Sequence, residues 1–115
     1  MDEISSAVII KALEGLSLRQ QYTAQNIANA GSPNYTPMRV TFEESLQAAA
    51  KGGLSSIRHV TPKAEAVPLE EGNSGVRLDL ELATATQTAS RYGALMDLLG
   101  RQMALRHALI SDRGR

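Results

Sequence analysis

Apolar residues recur in alternating steps of four and three over two long stretches, one at each end of the chain. In the first stretch Ile9, Leu13, Leu16, Gln20, Thr23, Ile27 and Ala30 share one side of a helix predicted from about Glu3 to Ala30. Gly15 is its only breaker, at a cost of about 1 kcal/mol against Ala. In the second, Leu82, Ala85, Ala89, Tyr92, Met96, Leu99, Met103, Arg106 and Ile110 follow the same alternation, with a parallel stripe of Leu95, Leu98, Leu105 and Leu109. Asp79 can cap this helix and Glu81 suits its first turn, while Arg101, Arg106 and His107 complement the dipole at its far end. At 1.5 Å per residue the two helices measure roughly 42 and 45 Å. The first stripe is weak in the middle, at Gln20 and Thr23, and the second helix carries two stripes. Two apolar stripes on one helix call for two packing partners, of which the first helix supplies one.

The region between the helices has no sustained period. Thr41-Phe42-Glu43-Glu44 has the form of a Ser/Thr-x-x-Glu capping box, which predicts a short helix over residues 42–51 that stops at Gly52-Gly53. Phe42 and Leu46 sit one turn apart on it, placed to pin it to a neighbouring element. From Leu54 to Gly75 the chain is interrupted by Pro62, Pro68, Gly72 and Gly75, with short extended pieces around Ile57–Val60 and Ala64–Leu69 as a candidate hairpin. So much open connection points to disorder or to ordering against other molecules. The expected architecture is all-α. Residues 1–31 and 79–111 pair as an antiparallel coiled-coil hairpin forming one discontinuous domain, and residues 32–78 form a mostly irregular, extended linker with one short helix.

The first helix ends in a dense cluster of helix-stopping residues. Gly31 suits a left-handed residue just past the helix end, and Pro33 and Pro37 push Ser32 and Thr36 toward extended backbone. Asn26 and Asn29 carry amides able to bond freed carbonyls or a neighbouring chain, and with Tyr35 they are expected to bond or pack at this joint.

Composition narrows the function. Of the 115 residues, twelve are basic and twelve acidic, so the formal net charge is zero and no electrostatic case exists for nucleic acid as a partner. The chain has no Cys, which excludes thiolate chemistry and disulfides, and no apolar run approaches a membrane span. Met1-Asp2-Glu3 lacks the basic and apolar regions of a cleavable leader. An enzyme would have to combine His59 or His107 with an acid such as Glu70 or Asp112. His59 falls in a loose loop, His107 near a helix end, and Gly72-Asn73-Ser74-Gly75 lacks the Lys of a phosphate-binding loop. No catalytic, cofactor-binding or metal-binding residues are expected.

The run Asn26-Ile27-Ala28-Asn29-Ala30-Gly31-Ser32-Pro33-Asn34-Tyr35 resembles the N-terminal signature of bacterial flagellar axial proteins, Asn-Ile-Ala-Asn-Ala-Asp-Thr-Pro-Gly-Tyr. Asn26, Ile27, Ala28, Asn29, Pro33 and Tyr35 match it directly and Ser32 keeps the hydroxyl of the usual Thr, whereas Gly31 and Asn34 depart from it. Gly72 to Glu81 is similar to the lead-in before the last helix of proximal-rod proteins, with one residue inserted and Arg77 where an acid is usual. Arg58-His59-Val60 is similar to a stretch in the middle of the same subfamily. The length leaves no room for the large central domain of distal-rod or hook proteins.

This resemblance implies a non-catalytic structural subunit of the proximal rod, whose terminal helices pair and whose copies stack helically across the periplasm. It implies export by the flagellar type III apparatus without a cleaved signal peptide, with Phe42 and Leu46 in the place of the element read by the export gate. The implied partners are further copies, neighbouring rod proteins, the protein joining the rod base to the MS ring, and the export gate, without membrane insertion. Leu13, Leu16, Leu82, Tyr92, Met96, Leu99 and Met103 are the expected helix-packing and assembly residues. The competing expectation is a cytosolic helical module that dimerises through Leu82–Ile110.

Overall fold

A computed structural model describes residues 2–68 and 76–113. In chain order these form α1 (Glu3–Ala28), β1 (Met38–Thr41), α2 (Glu43–Ala50), α3 (Leu54–Arg58), β2 (Lys63–Ala66) and α4 (Leu78–Arg113). The fold is all-α, a hairpin of two long helices with short elements from the middle of the chain laid against it.

The N-terminus of α1 is fixed by Asp2, whose Oδ1 accepts from the Ser5 amide at 2.7 Å. At the other end Asn29 is the cap residue and its amide returns to the Gln25 and Ile27 carbonyls. The expected left-handed residue at Gly31 is not there. Asn34 takes that role with φ 64°, so the chain reverses three residues later than the glycine suggested. Asn is one of the few side chains that tolerate this backbone region.

α4 runs antiparallel to α1. Asn26 meets Glu81 near one end, Leu16 lies by Tyr92 and Leu95 in the middle, and Ser6 shares a groove with Leu99 and Gln102 near the other. On this register α1 begins level with about residue 104, so the last turns of α4 project beyond it by roughly 13 Å. The molecule measures 67 × 26 × 14 Å, little more than one helix thick in its narrowest direction.

The main buried cluster is Leu16 from α1 together with Val40, Phe42, Leu46, Ile57 and Val60 from the middle of the chain, and α4 adds Tyr92 and Leu95 at its margin. Ile9 and Leu13 on α1 and Thr88 on α4 are buried as well. Residues 38–60 of this largely irregular middle therefore pack against α1 within a single molecule. β1 and β2 pair antiparallel with Met38 opposite Ala66 and Val40 opposite Ala64. Ile57, expected to be extended, lies on α3, which follows Gly53 at φ 97° and places Ile57 in the core at 1% exposure. The extended partner of the hairpin is Met38–Thr41 instead.

The capping box also resolves differently. α2 begins at Glu43 with Phe42 as its cap residue, and no side chain caps it. Thr41 is unavailable because it is the last residue of β1, paired with Lys63. Arg19 organises this corner from α1. Its guanidinium donates to both Glu43 carboxylate oxygens at 2.7 Å and to the Val40 carbonyl at 2.7 Å, and it lies 5.0 Å above the Phe42 ring.

Gly15 has a specific purpose. The Phe42 ring lies in the notch that it leaves on α1, and a Cβ there would overlap the ring. Gly15→Ala should therefore destabilise the fold by about 1–3 kcal/mol through overpacking, although Ala alone would favour the helix by about 1 kcal/mol. Urea denaturation checks the sign, and pairing the change with Phe42→Leu should recover part of the loss. The Arg19 hydrogen bonds depress the Glu43 pKa, so the pair contributes stability above about pH 4.5 that is lost as pH falls through the lowered folded value. Glu43 is half exposed, so an Arg19→Gln variant should flatten the acid limb of the stability profile only modestly.

Candidate functional site

The joint at the end of α1 is built around Asn26, which is 1% exposed. Its Oδ1 accepts from the Met38 amide at 3.0 Å and from the Tyr35 hydroxyl at 2.7 Å. Its Nδ2 donates to the Met38 carbonyl at 2.9 Å and to Glu81 Oε2 at 3.1 Å. Every hydrogen-bonding position of the carboxamide is used. No buried side-chain polar atom among the described residues is left without a partner.

Toward Met38, Asn26 does what a neighbouring strand would do. The backbone of Pro37 faces β2, where its carbonyl accepts from Val67, while the backbone groups of Met38 and Val40 face α1. That outer edge of β1 is closed by two side chains of α1. Asn26 takes both groups of Met38, and Arg19, two turns earlier, takes the Val40 carbonyl. An edge strand left open is a template for unwanted pairing, and these two side chains remove it.

The rest of the run makes a turn with its own bonds. Asn29 Nδ2 donates to the Gln25 carbonyl at 2.9 Å, and the Ser32 hydroxyl donates to Asn29 Oδ1 at 3.1 Å. Ile27 is half-buried, and Ala28, Ser32 and Pro33 are exposed. Tyr35 is half-buried, and desolvation first, then the nearby Glu81 charge, push its phenol pKa above the usual value. Glu81 and Arg19 escaped the sequence reading as site residues. Arg19 shares α1 with Asn26 and could have been singled out by its helical spacing from it, whereas Glu81, on α4, carried no such signal.

Phe42 and Leu46 are both buried in the core. Leu13 and Leu16 are buried on α1, while Tyr92 and Leu99 are half-buried on α4. Leu82, Met96 and Met103 do not pack into the helix pair. They are exposed, as are Leu78, Leu80, Leu98, Leu105, Leu109 and Ile110 along the same helix. The register explains this. α1 covers only one side of α4, and the turns beyond about residue 104 have no α1 beside them. Among the described residues there is no cluster of acids or histidines able to hold a metal ion, and no helix long and apolar enough to cross a membrane. His59 is exposed on a helix end with Nδ1 2.6 Å from the Ser55 carbonyl, and His107 is exposed on α4, far from it along the chain. Glu70 and the Gly72–Gly75 part of the rod-like lead-in lie outside the described residues.

Comparison with known proteins adds one relative. The chain is similar to the flagellar basal body rod protein FlgB of Borrelia hermsii, with 45% identity over 47 residues. The aligned part covers 41% of this chain and 35% of that protein, so the chain matches about a third of the length of this curated relative. No family model matches the chain.

The joint yields two expected outcomes. Asn26→Asp keeps the acceptor but removes both donated bonds and sets a carboxylate against Glu81 and the Met38 carbonyl. It should cost about 3 kcal/mol or more, exceeding the roughly 1 kcal/mol expected for Tyr35→Phe. Urea midpoints compare the two. The raised Tyr35 pKa means that the folded state keeps its proton longer than the unfolded state, so stability should fall as pH rises above about 10. That slope should be shallower in Tyr35→Phe, measured as the difference between the two proteins from pH 9 to 11.

Proposed function

We propose that this chain is a structural subunit of the proximal rod of the bacterial flagellar basal body, of the FlgB type rather than the related FlgC type. On this reading it is exported by the flagellar type III apparatus and polymerises through its terminal helices with copies of itself and neighbouring rod proteins, next to the protein joining the rod to the MS ring. It has no catalytic role and needs no cofactor.

The observation that carries the proposal is surface left without a partner. The chain exposes 8066 Å². A compact monomer of this mass exposes roughly 6,100 Å². The excess, about 2,000 Å², is more than twice the roughly 800 Å² that one partner contributes to a standard interface. Much of it is apolar and lies along α4. The Asn26–Tyr35 signature and the similarity to the Borrelia rod protein favour flagellar partners over an isolated cytosolic dimer.

Deleting the gene should remove the rod and everything distal to it, seen by electron microscopy of basal bodies, and abolish swimming. Complementation with Tyr92→Asp or Leu99→Asp should fail, because each sets a charge in a half-buried helix seam, while export itself continues. A deletion strain with complete basal bodies would overturn the proposal. Replacing Phe42 and Leu46 together by Ala should lower secretion of the subunit, and unchanged secretion would leave the pair with its packing role alone.

A further inference from the structure

Of the two edges of the small sheet, only one is closed. Asn26 and Arg19 occupy the outer edge of β1, whereas β2 pairs with β1 alone. The Val67 amide donates to the Pro37 carbonyl at 2.9 Å, so in the antiparallel register Lys63, Glu65 and Val67 turn their backbone groups toward β1. Ala64 and Ala66 turn theirs the other way, and no loop or helix backbone among the described residues bonds to them. Lys63, Glu65 and Ala66 are exposed, and Pro62 and Pro68 bound the strand on either side. Lys63 and Glu65 point to the face of the sheet away from the core, beside Arg39 and Thr41, while Ala64 packs on the core side with Val40. Among the described residues, none of Arg39, Lys63 and Glu65 takes part in a salt bridge.

We infer that the open edge of β2 pairs antiparallel with β2 of a second copy, two-fold about Ala64, to make one four-stranded sheet across two molecules. The register follows from the sequence of the strand. With Ala64 opposite its counterpart, the outward amide and carbonyl of each Ala64 bond those of the other, and each Lys63 stands opposite Glu65 of the other copy. Centring the pair on Glu65 would set two carboxylates against each other, and centring it on Ala66 would set Glu65 against Val67 and leave Lys63 without a partner. In the Ala64 register a row across the outer face reads Arg39 and Glu65 from one copy, then Lys63 and Thr41 from the other, so each carboxylate lies between two cations. The same charges and flanking prolines disfavour an apolar strand from an unrelated chain. A contact between strands of four residues is small beside the roughly 800 Å² per partner of a standard interface, so the pair is transient. Being two-fold it closes at two molecules, and it uses neither long helix. In a helical array of like-directed copies it does not occur, so it belongs to free subunits and stands whether or not they build a rod.

The chain has no Cys, so an introduced disulfide can report the register. Lys63→Cys and Glu65→Cys lie at exposed positions, so the fold should persist, which circular dichroism verifies. Residues opposite one another across the pair have Cβ atoms about 4.5–5.5 Å apart. Like positions on the two strands are roughly 8 Å apart, too far for a disulfide. Under mild oxidation an equimolar mixture of the two variants should therefore give the mixed disulfide between positions 63 and 65 as its main cross-link, identified by mass spectrometry. Each variant alone should give almost none. The mixed pair also keeps one contact between Lys63 and Glu65. Adding Ala64→Pro to both chains removes the outward amide while leaving the ladder to β1 in place, and should abolish the mixed disulfide. Disulfides in the proportions of chance collision, a Glu65→Cys chain that cross-links to itself, or a mixed disulfide that survives Ala64→Pro would each overturn the inference. So would the absence of any cross-link at millimolar protein.

Discussion

A two-stranded sheet four residues long has little stability of its own, and here the free edge of its first strand is closed by a helix side chain acting as a peptide group. Asn26 can bond the amide and the carbonyl of Met38 together only if α1, β1 and their spacing are all in place. Its remaining two bonds reach Tyr35 and Glu81, so the same carboxamide fixes the return of the chain after α1 and the start of α4. A fully satisfied buried polar group of this kind contributes modestly to stability, but every partial arrangement is costly. The joint therefore specifies one geometry for three elements.

Further along α1 the same logic passes from hydrogen bonds to shape. Gly15 opens a notch, Phe42 fills it, and Arg19 covers the ring while holding Glu43 and the Val40 carbonyl. This corner fastens the middle of the chain to α1. α4 adds Tyr92 and Leu95 at its margin and otherwise leaves a long apolar face open. Within one molecule, α1 is the element shared by both neighbours, and α4 is the element with surface to spare.

The two long helices were legible because the step of four and three persists over many residues and few other structures tolerate it. The joint was legible as a helix end with amide and phenol partners, since Pro33, Pro37 and the two Asn residues allow little else. The small sheet was legible only in part: the extended piece at Ala64–Leu69 overlaps β2, but its partner is Met38–Thr41 rather than Ile57–Val60. Met38–Thr41 and Lys63–Ala66 are four residues each, too short for an alternation to stand out, and their pairing depends on contacts across more than twenty residues of chain. The left-handed turn was assigned to Gly31 because glycine is the usual choice, but Asn34 adopts it. The role of Gly15 was hidden because a glycine within a helix reads only as a weakness until the ring beside it is seen. Arg19 and Glu81 read as ordinary helix charges, since their importance comes from what faces them.

The 14 Å thickness of the molecule has a genetic consequence. A body so thin gathers its main buried cluster close to Leu16, Phe42 and Ile57. Changes there register as loss of the individual molecule. Changes on the outer side of α4 leave that molecule intact and are felt only by whatever lies against it. A map of tolerated substitutions along α4, read in the cell and again on the purified chain, would thus separate into two patterns. Positions silent in the purified chain but intolerant in the cell would trace the outline of its neighbours.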